Sequence, residues 1–459
     1  MIRFSPEALR AVLAALPKAT AYWLAFSGGQ DSRVLLHALA AIRNAIEAPL
    51  QAAHVNHGLH PDASCWAQSC TEVCEHHAIP LSVVQLDARH PAGNSPEAWA
   101  REKRYLALQA LMHEGEMMLT AHHRDDQAET LLMQLLRGSG PRGLAGMPPL
   151  VRWGAGWLAR PLLAFDRADL AAYAEAHRLC WVEDPSNTDT RYARNFLRHA
   201  VLPVLKTRWP SLGATLARAA RWQTEAAALI DEIAEQDLAR IASGAPAAVS
   251  VSRLRRLPEA RRRNVLRVWL VRCGLPSVTA VQLQQLAGEA LECRWDSRAC
   301  IRWPGGEVRR YRDDFYAMRP LRPHDANQVF AWNCDAPLAL PLGTLTVERG
   351  ADGIRAAACV SDLVTVRFRR GGERLRPCGS SHTRLLKHLF QERGIPPWRR
   401  DRIPLVYFGQ RLAAVAGFWR HQDLAADPGE IGLCFRWSES EENAGAVAAA
   451  KCIESGESI

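Results

Sequence analysis

The chain has 459 residues, 48% of them hydrophobic, which is ample material for buried cores and favours two or three domains over one. Its 57 Lys and Arg outnumber 48 Asp and Glu, leaving a net charge of +9 that suits a polyanionic partner without requiring one. No run of eighteen apolar residues occurs and Met1-Ile2-Arg3-Phe4-Ser5-Pro6 lacks a signal-peptide core, so no membrane contact and a cytoplasmic location are expected.

In chain order, apolar runs at 21–26, 51–55, 81–86 and 117–121 predict strands. Amphipathic stretches near 30–44, 62–78, 95–114 and 126–137 predict helices between them. This alternation predicts an α/β domain with a parallel sheet covered on both faces, its ligands at the carboxyl ends of the strands. From about 212 to 242 one long Ala-rich helix is expected, then a Leu/Arg-rich, largely helical block to about 320. Residues 330–436 look mixed, with strand-like runs at 338–347 and 412–418 around a helix at 381–393. The Ser/Glu/Ala/Gly-rich end from 438 is expected to be disordered. The domain boundaries that follow are 1–212, 213–325 and 330–437, with a tail over 438–459.

Charge is distributed unevenly. Residues 253–319 hold fifteen Arg against seven acids, and residues 367–420 hold twelve Arg and one Lys against three acids. Their combined excess surpasses that of the whole chain, so the remainder is net acidic. Such an arrangement suits a mildly acidic catalytic unit carrying basic parts that grip RNA. The 12 Cys are scattered, with no CxxC pair, which favours free thiols over a disulfide framework or metal site.

The strongest local signal is Ser27-Gly28-Gly29-Gln30-Asp31-Ser32, between an apolar run and a helix. A strand, glycine turn and helix aim backbone N–H groups and the positive helix end at one spot, which favours phosphate. Ser27 and Ser32 add hydroxyl donors. Asp31 would repel phosphate unless a cation lies between them, and so implies Mg²⁺. No GxxxxGK[ST] pattern is present, which separates this loop from that of ordinary kinases and GTPases.

A second cluster, His122-His123-Arg124-Asp125-Asp126-Gln127-Ala128-Glu129, follows the apolar run at 117–121. Asp125, Asp126 and Glu129 share a helix face, where they suit a metal or an ammonium group. Either Asp can instead serve as a helix cap. Arg137-Gly138-Ser139-Gly140-Pro141-Arg142-Gly143 then reads as a mobile, positively charged loop.

The hexapeptide at 27–32 resembles the pyrophosphate-binding PP-loop of ATP pyrophosphatases, which cleave ATP between its α and β phosphates and adenylate their substrate. The octet at 122–129 resembles the HHxDDQxE element of the tRNA(Ile)-lysidine synthase family, with the Gly/Arg loop following in the same order. His54-Val55-Asn56-His57-Gly58-Leu59, the run from Asn94 to Tyr105, and Glu183-Asp184-Pro185-Ser186-Asn187 with Tyr192, Arg194, Asn195 and Arg198 resemble further motifs of that family. So do Pro304–Tyr311 and the stretch 369–404, which extends the likeness over nearly the whole chain. It implies a PP-loop ATP-binding domain, a mainly helical tRNA-binding domain and a small mixed α/β C-terminal domain.

The resemblance also implies a reaction. The C2 oxygen of the wobble cytidine in an isoleucine tRNA with a CAU anticodon attacks the α-phosphate of ATP, and the ε-amine of free L-lysine then displaces AMP. Ser27, Gly28, Gly29, Gln30, Asp31 and Ser32 would bind ATP, with Asp31 holding Mg²⁺. Asp125, Asp126 and Glu129 would bind lysine and serve catalysis beside Asp31. Arg101, Arg104, Arg137, Arg142, Arg194, Arg198, Lys387, Trp398, Arg399, Arg400 and Arg402 are expected to contact phosphate or tRNA. Trp398 suits either base stacking or burial after Pro396-Pro397, and Arg101, Arg104, Arg194 and Arg198 suit a solvated helix face equally. A homodimer stays open. The rival readings are a PP-loop tRNA sulfur-transferase, which calls for a catalytic Cys pair, and a non-catalytic RNA-binding protein, which would have shed Asp31 or the acids at 125–129.

Overall fold

The computed structural model describes residues 3–58, 60–86, 96–245, 247–292, 299–350, 353–356, 363–427 and 429–440. Leu59, Asn94, Ser95 and the tail from 441 lie outside the described residues. The chain divides into two compact units, Met1–Leu229 and Ile230–Ile459.

The first unit begins with helix α1 (Pro6–Ala14), capped by the Ser5 side chain, and strand β1 (Tyr22–Ala25). Helix α2 (Gln30–Ile42), β2 (Leu50–Asn56), α3 (Ala63–His76), β3 (Leu81–Gln85), α4 (Pro96–Ala110), β4 (Met117–Leu119) and α5 (Arg124–Leu136) follow. After the short α6 (Pro141–Leu144), the antiparallel pair β5 (Leu150–Trp153) and β6 (Gly156–Ala159) completes a six-stranded sheet of order β3-β2-β1-β4-β6-β5. β3, β2, β1, β4 and β6 are mutually parallel. Leu35, Leu36 and Leu39 of α2 are fully buried against Leu24, Phe26 and Met117, and each contributes about 1.5–3 kcal/mol of burial. The chain leaves β1 toward β2 on one side and returns to β4 on the other. A crevice therefore opens between the carboxyl ends of β1 and β4, where open parallel sheets hold their ligands.

Beyond the sheet lie α7 (Arg167–Ala176), α8 (Ala193–Phe196), a π-helical turn over Leu197–Val201 and α9 (Leu202–Arg208). Pro203 offers no N–H to the carbonyl of His199 four residues earlier, and the N–H of Leu202 reaches back five residues to Leu197. The widened turn is the result. Helix α10 (Leu212–Ile241) matches the expected long helix.

In the second unit, residues 251–292 form helices packed around Leu266, Trp269 and Leu286. The expected helical block ends there, because Cys300–Trp303, Gly306–Tyr311 and Asp314–Met318 are antiparallel strands. The turns at Gly305 (φ +82°) and Arg312 (φ +56°) reverse the chain, and alternating inward residues such as Val308, Phe315 and Ala317 fill the core. The C-terminal part holds sheets of five, three and two strands, so it is richer in β than a mixed reading suggests. The run at 338–347 splits at Pro341 into a hairpin, Leu338–Leu340 and Gly343–Gly350. The helix near 381–393 is Leu386–Glu392, since Arg384–Leu385 pairs as strand with Arg374–Leu375. The strand Gly432–Glu439 extends past residue 437, so the disordered end expected from 438 begins too early.

Candidate active site

Gly28 adopts φ +83°, and a Cβ there would lie 2.9 Å from the Cys70 sulfur, so the turn accepts only glycine without strain. Its carbonyl accepts the N–H of Val182, and Gly29 caps α2. The Ser27 and Ser32 hydroxyls lie 3.0 Å apart, and Ser32 Oγ donates to the Gly29 carbonyl at 2.9 Å. The loop thus folds onto the positive end of α2, with Gln30 and Asp31 opening the helix. Asp31 is partly exposed, yet its Oδ1 is buried without a hydrogen-bond partner. An orphaned carboxylate oxygen beside a phosphate-binding turn fits one direct ligand to Mg²⁺, which keeps most of its shell for water and substrate phosphate.

At the end of β4, His123 caps α5 reciprocally: Asp126 N–H donates to its Nδ1 at 3.3 Å, and its own N–H donates to Asp126 Oδ2 at 2.9 Å. An accepting Nδ1 assigns the proton to Nε2. That nitrogen lies 3.5 Å from Asp31 Oδ2 and 3.4 Å from Asp126 Oδ2. His123 therefore joins the two motifs across the crevice between β1 and β4. Burial pulls its pKa down, but the carboxylates of Asp31, Asp126 and Asp125 outweigh burial and raise it.

The acids on α5 meet the run 193–208. Arg194 Nε donates to Glu129 at 2.8 Å and its Nη2 to Asp126 at 3.1 Å. Arg198 Nε donates to Glu129 at 2.6 Å and its Nη2 to Asp126 at 2.6 Å. Two guanidiniums clamp two buried carboxylates, an arrangement of charge-assisted, forked bonds. Burial would raise the pKa of Asp126, but His123, Arg194, His122 and Arg198 together lower it to about 2. Desolvation pushes the neighbouring His122 down to about 3, so it is neutral there. Asp125, also buried, accepts from the Lys206 ammonium at 2.8 Å.

The structure brings Ser27–Ser32, Asp31, Asp125, Asp126, Glu129, Arg194 and Arg198 together, and it adds His123 as bridge and Lys206 as partner. Arg194 and Arg198 spend their guanidiniums on carboxylates rather than lying on a solvated face. Arg137 and Arg142 are exposed, Arg137 at the end of α5 and Arg142 within the short α6, so the expected loop is helical in its second half. Arg101 and Arg104 are exposed on α4; Arg101 covers Tyr105 and Arg104 donates to His57 at 3.1 Å. Burial and Arg104 lower the His57 pKa to about 4.

In the second unit, Lys387 and Arg399 are exposed, but the expected RNA contacts Arg400 and Arg402 are buried. Arg400 donates to the Ile395 carbonyl and the Tyr311 hydroxyl, and Arg402 to the Arg322 carbonyl. They are spent on joining strands and loops of their own unit. Trp398 is half-buried and packs edge-on against Tyr316 at 5.5 Å, with Arg309 at 5.4 Å over its ring, so side chains of its own unit take up part of its surface.

Among the described residues no group of three or more His, Cys, Asp or Glu is arranged to hold a metal by itself, and no helix is long and apolar enough to cross a membrane. Cys70 and Cys74 are free thiols; burial pushes them up to about 12 and 11.

Comparison with known proteins places this geometry. A model described as a PP-loop domain matches residues 5–205, a TilS substrate binding domain matches 250–316, and a TilS substrate C-terminal domain matches 364–437. A tRNA(Ile)-lysidine synthase from Alkalilimnicola ehrlichii is 43% identical over 94% of this chain and 97% of its own length. The chain belongs to the tRNA(Ile)-lysidine synthase family. Family members from Methylococcus capsulatus and Coxiella burnetii are 40% and 41% identical over 95% and 90% of this chain, covering 100% and 92% of their own. The family's three matched segments include both motifs of the crevice, the basic stretch 367–420 and all but the last three residues of 253–319.

Proposed function

We propose that this chain uses ATP to adenylate C2 of the wobble cytidine in a CAU-anticodon isoleucine tRNA and then joins free L-lysine there, releasing AMP. The observation that carries this reading is the meeting of the PP-loop with the α5 acids through His123. Backbone N–H groups at the start of α2, with Ser27 and Ser32, bind the β and γ phosphates. Asp31 holds Mg²⁺, which when bound offsets charge growing on the leaving pyrophosphate. The cytidine O2 attacks the α-phosphorus, and the bond to the bridging oxygen of pyrophosphate breaks. The lysine ε-amine then attacks C2, and the C2–O bond breaks as AMP leaves.

The attacking ammonium must first lose a proton. Asp125, the acid that would hold that ammonium, is the one placed to accept the proton, and the other two acids have a different role. Asp126 and Glu129 anchor Arg194 and Arg198 over the crevice, where these arginines meet phosphate charge. Asp125 already accepts an alkylammonium, that of Lys206, and is suited to take the chemically identical head of substrate lysine in its place. The basic stretches of the second unit hold the tRNA body.

The test incubates purified protein with ATP, labelled lysine and two CAU-anticodon transcripts, one for isoleucine and one for methionine. Label is expected in the isoleucine transcript alone, with one AMP formed per lysine. Labelling of neither, or AMP release without lysine incorporation, overturns the reading.

A further inference from the structure

The two most exposed tryptophans among the described residues lie outside the chemistry described above. Trp209 and Trp222 are 55% and 56% exposed, unusual for the residue type. Each has a guanidinium 5.9 Å from its ring centre, Arg208 over Trp209 and Arg218 over Trp222. Trp209 forms one wall of an open groove of about 530 Å³, with Leu205, Pro210, Leu212 and Thr215 around it. From Thr215 the same face of α10 continues through Arg218 to Trp222, at spacings of three and four residues.

We propose that this groove and the helix face beyond it form a stacking surface for unpaired nucleotides of the RNA substrate, next to the nucleotide that is modified. The inference rests on the proposed RNA-directed activity and assigns it a surface. Position argues for it first. Lys206, three residues before Trp209, reaches Asp125 in the crevice, so the groove adjoins the wall of the active site.

Chemistry argues next. An indole face beside a guanidinium accepts any base by stacking, while the cation meets the phosphate that comes with it. Arg208, Arg218 and Arg221 are all exposed here, giving the strip a positive rim that complements a nucleic-acid strand. The contrast with Trp398 is instructive, since Tyr311, Tyr316 and Arg309 occupy the surroundings of that ring.

The test measures steady-state lysine incorporation into full-length isoleucine tRNA by Trp209→Ala, Trp222→Ala, the double variant, and the Phe variants at both positions. Each Ala variant is expected to raise KM for the RNA about ten-fold while leaving KM for ATP unmoved, and Phe to restore most of the loss. Exposed positions leave the fold intact, which a thermal melt checks. A double variant with wild-type KM for RNA overturns the proposal. So does a double variant that shifts from dimer to monomer on gel filtration without changing KM, because the strip is then an interface between copies. Filter binding of a labelled anticodon stem–loop, without ATP or lysine, tests the surface even if the wild type ligates nothing. Failure of catalysis with Trp-dependent binding sinks only the activity, and catalysis with Trp-independent binding sinks only the surface.

Discussion

Gly28 shows how much one residue's conformation carries. A left-handed φ costs an L-residue about 1–2 kcal/mol, and an added methyl also meets the Cys70 sulfur at 2.9 Å. Gly28→Ala is therefore expected to lower stability in urea denaturation by about 2 kcal/mol and to raise KM for ATP. Adding Cys70→Ala should recover the part due to contact and leave the part due to φ. Asp126 gives the second prediction at this scale. Burial pushes its pKa upward, but His123 and the two guanidiniums bring it to about 2, below the ordinary 3.8. A depressed carboxylate contributes stability above its unfolded pKa and loses it as pH falls through the folded one. The wild type should thus lose about 2 kcal/mol between pH 4 and pH 2 from this group. Denaturation of Asp126→Asn across that window should lack this portion of the acid limb, though the variant starts less stable.

Among the elements, the run 193–208 matters most, because its π-turn sets the angle between two sets of cations. Residues eight apart in a regular α-helix differ in direction by about 80°, which would turn Lys206 away from the face of Arg198. The wider turn brings both onto the acids of α5. Pro203→Ala restores the N–H that a regular turn needs, so the helix is expected to tighten and swing Lys206 off Asp125. The expected outcome is a thermal midpoint equal to or above wild type with lysine ligation reduced about ten-fold or more. A variant that stays fully active would show that the turn is incidental. The sequence pattern around 194 and 198 reads equally well as a solvated face. Their partners, Asp126 and Glu129, lie 65–72 residues earlier, beyond any local spacing argument.

For the whole molecule, charge is segregated between the parts. The acid cluster and PP-loop belong to the first unit, whereas the arginine-rich stretches 253–319 and 367–420 belong to the second. Several of those arginines are engaged within the unit: Arg261 pairs with Asp237, Arg267 with Asp231, and Arg402 is buried. The remainder still dominates encounter with a polyanion. KM for tRNA should accordingly rise steeply between 50 and 200 mM salt, on the order of ten-fold or more, with KM for ATP nearly flat. Equal salt slopes for both substrates would remove the RNA role from the second unit.

By itself, the sequence determined the strand–turn–helix at 22–42, the α/β alternation of the first unit, the long helix after 212 and the acids at 125–129. Each is written in residues that touch near neighbours, through periodicity, glycine conformation or a cap. Only the tertiary structure decided that His123 bridges Asp31 and Asp126, that Lys206 meets Asp125, and that Arg400 and Arg402 turn inward. It also decided that 300–318 is a sheet, where Leu/Arg-rich composition suggested helix and two tight turns prevail. The physical reason is common to all of these. A charged or aromatic side chain at a helix surface is compatible with water or with a distant partner, and sheet packing alone chooses which partner arrives.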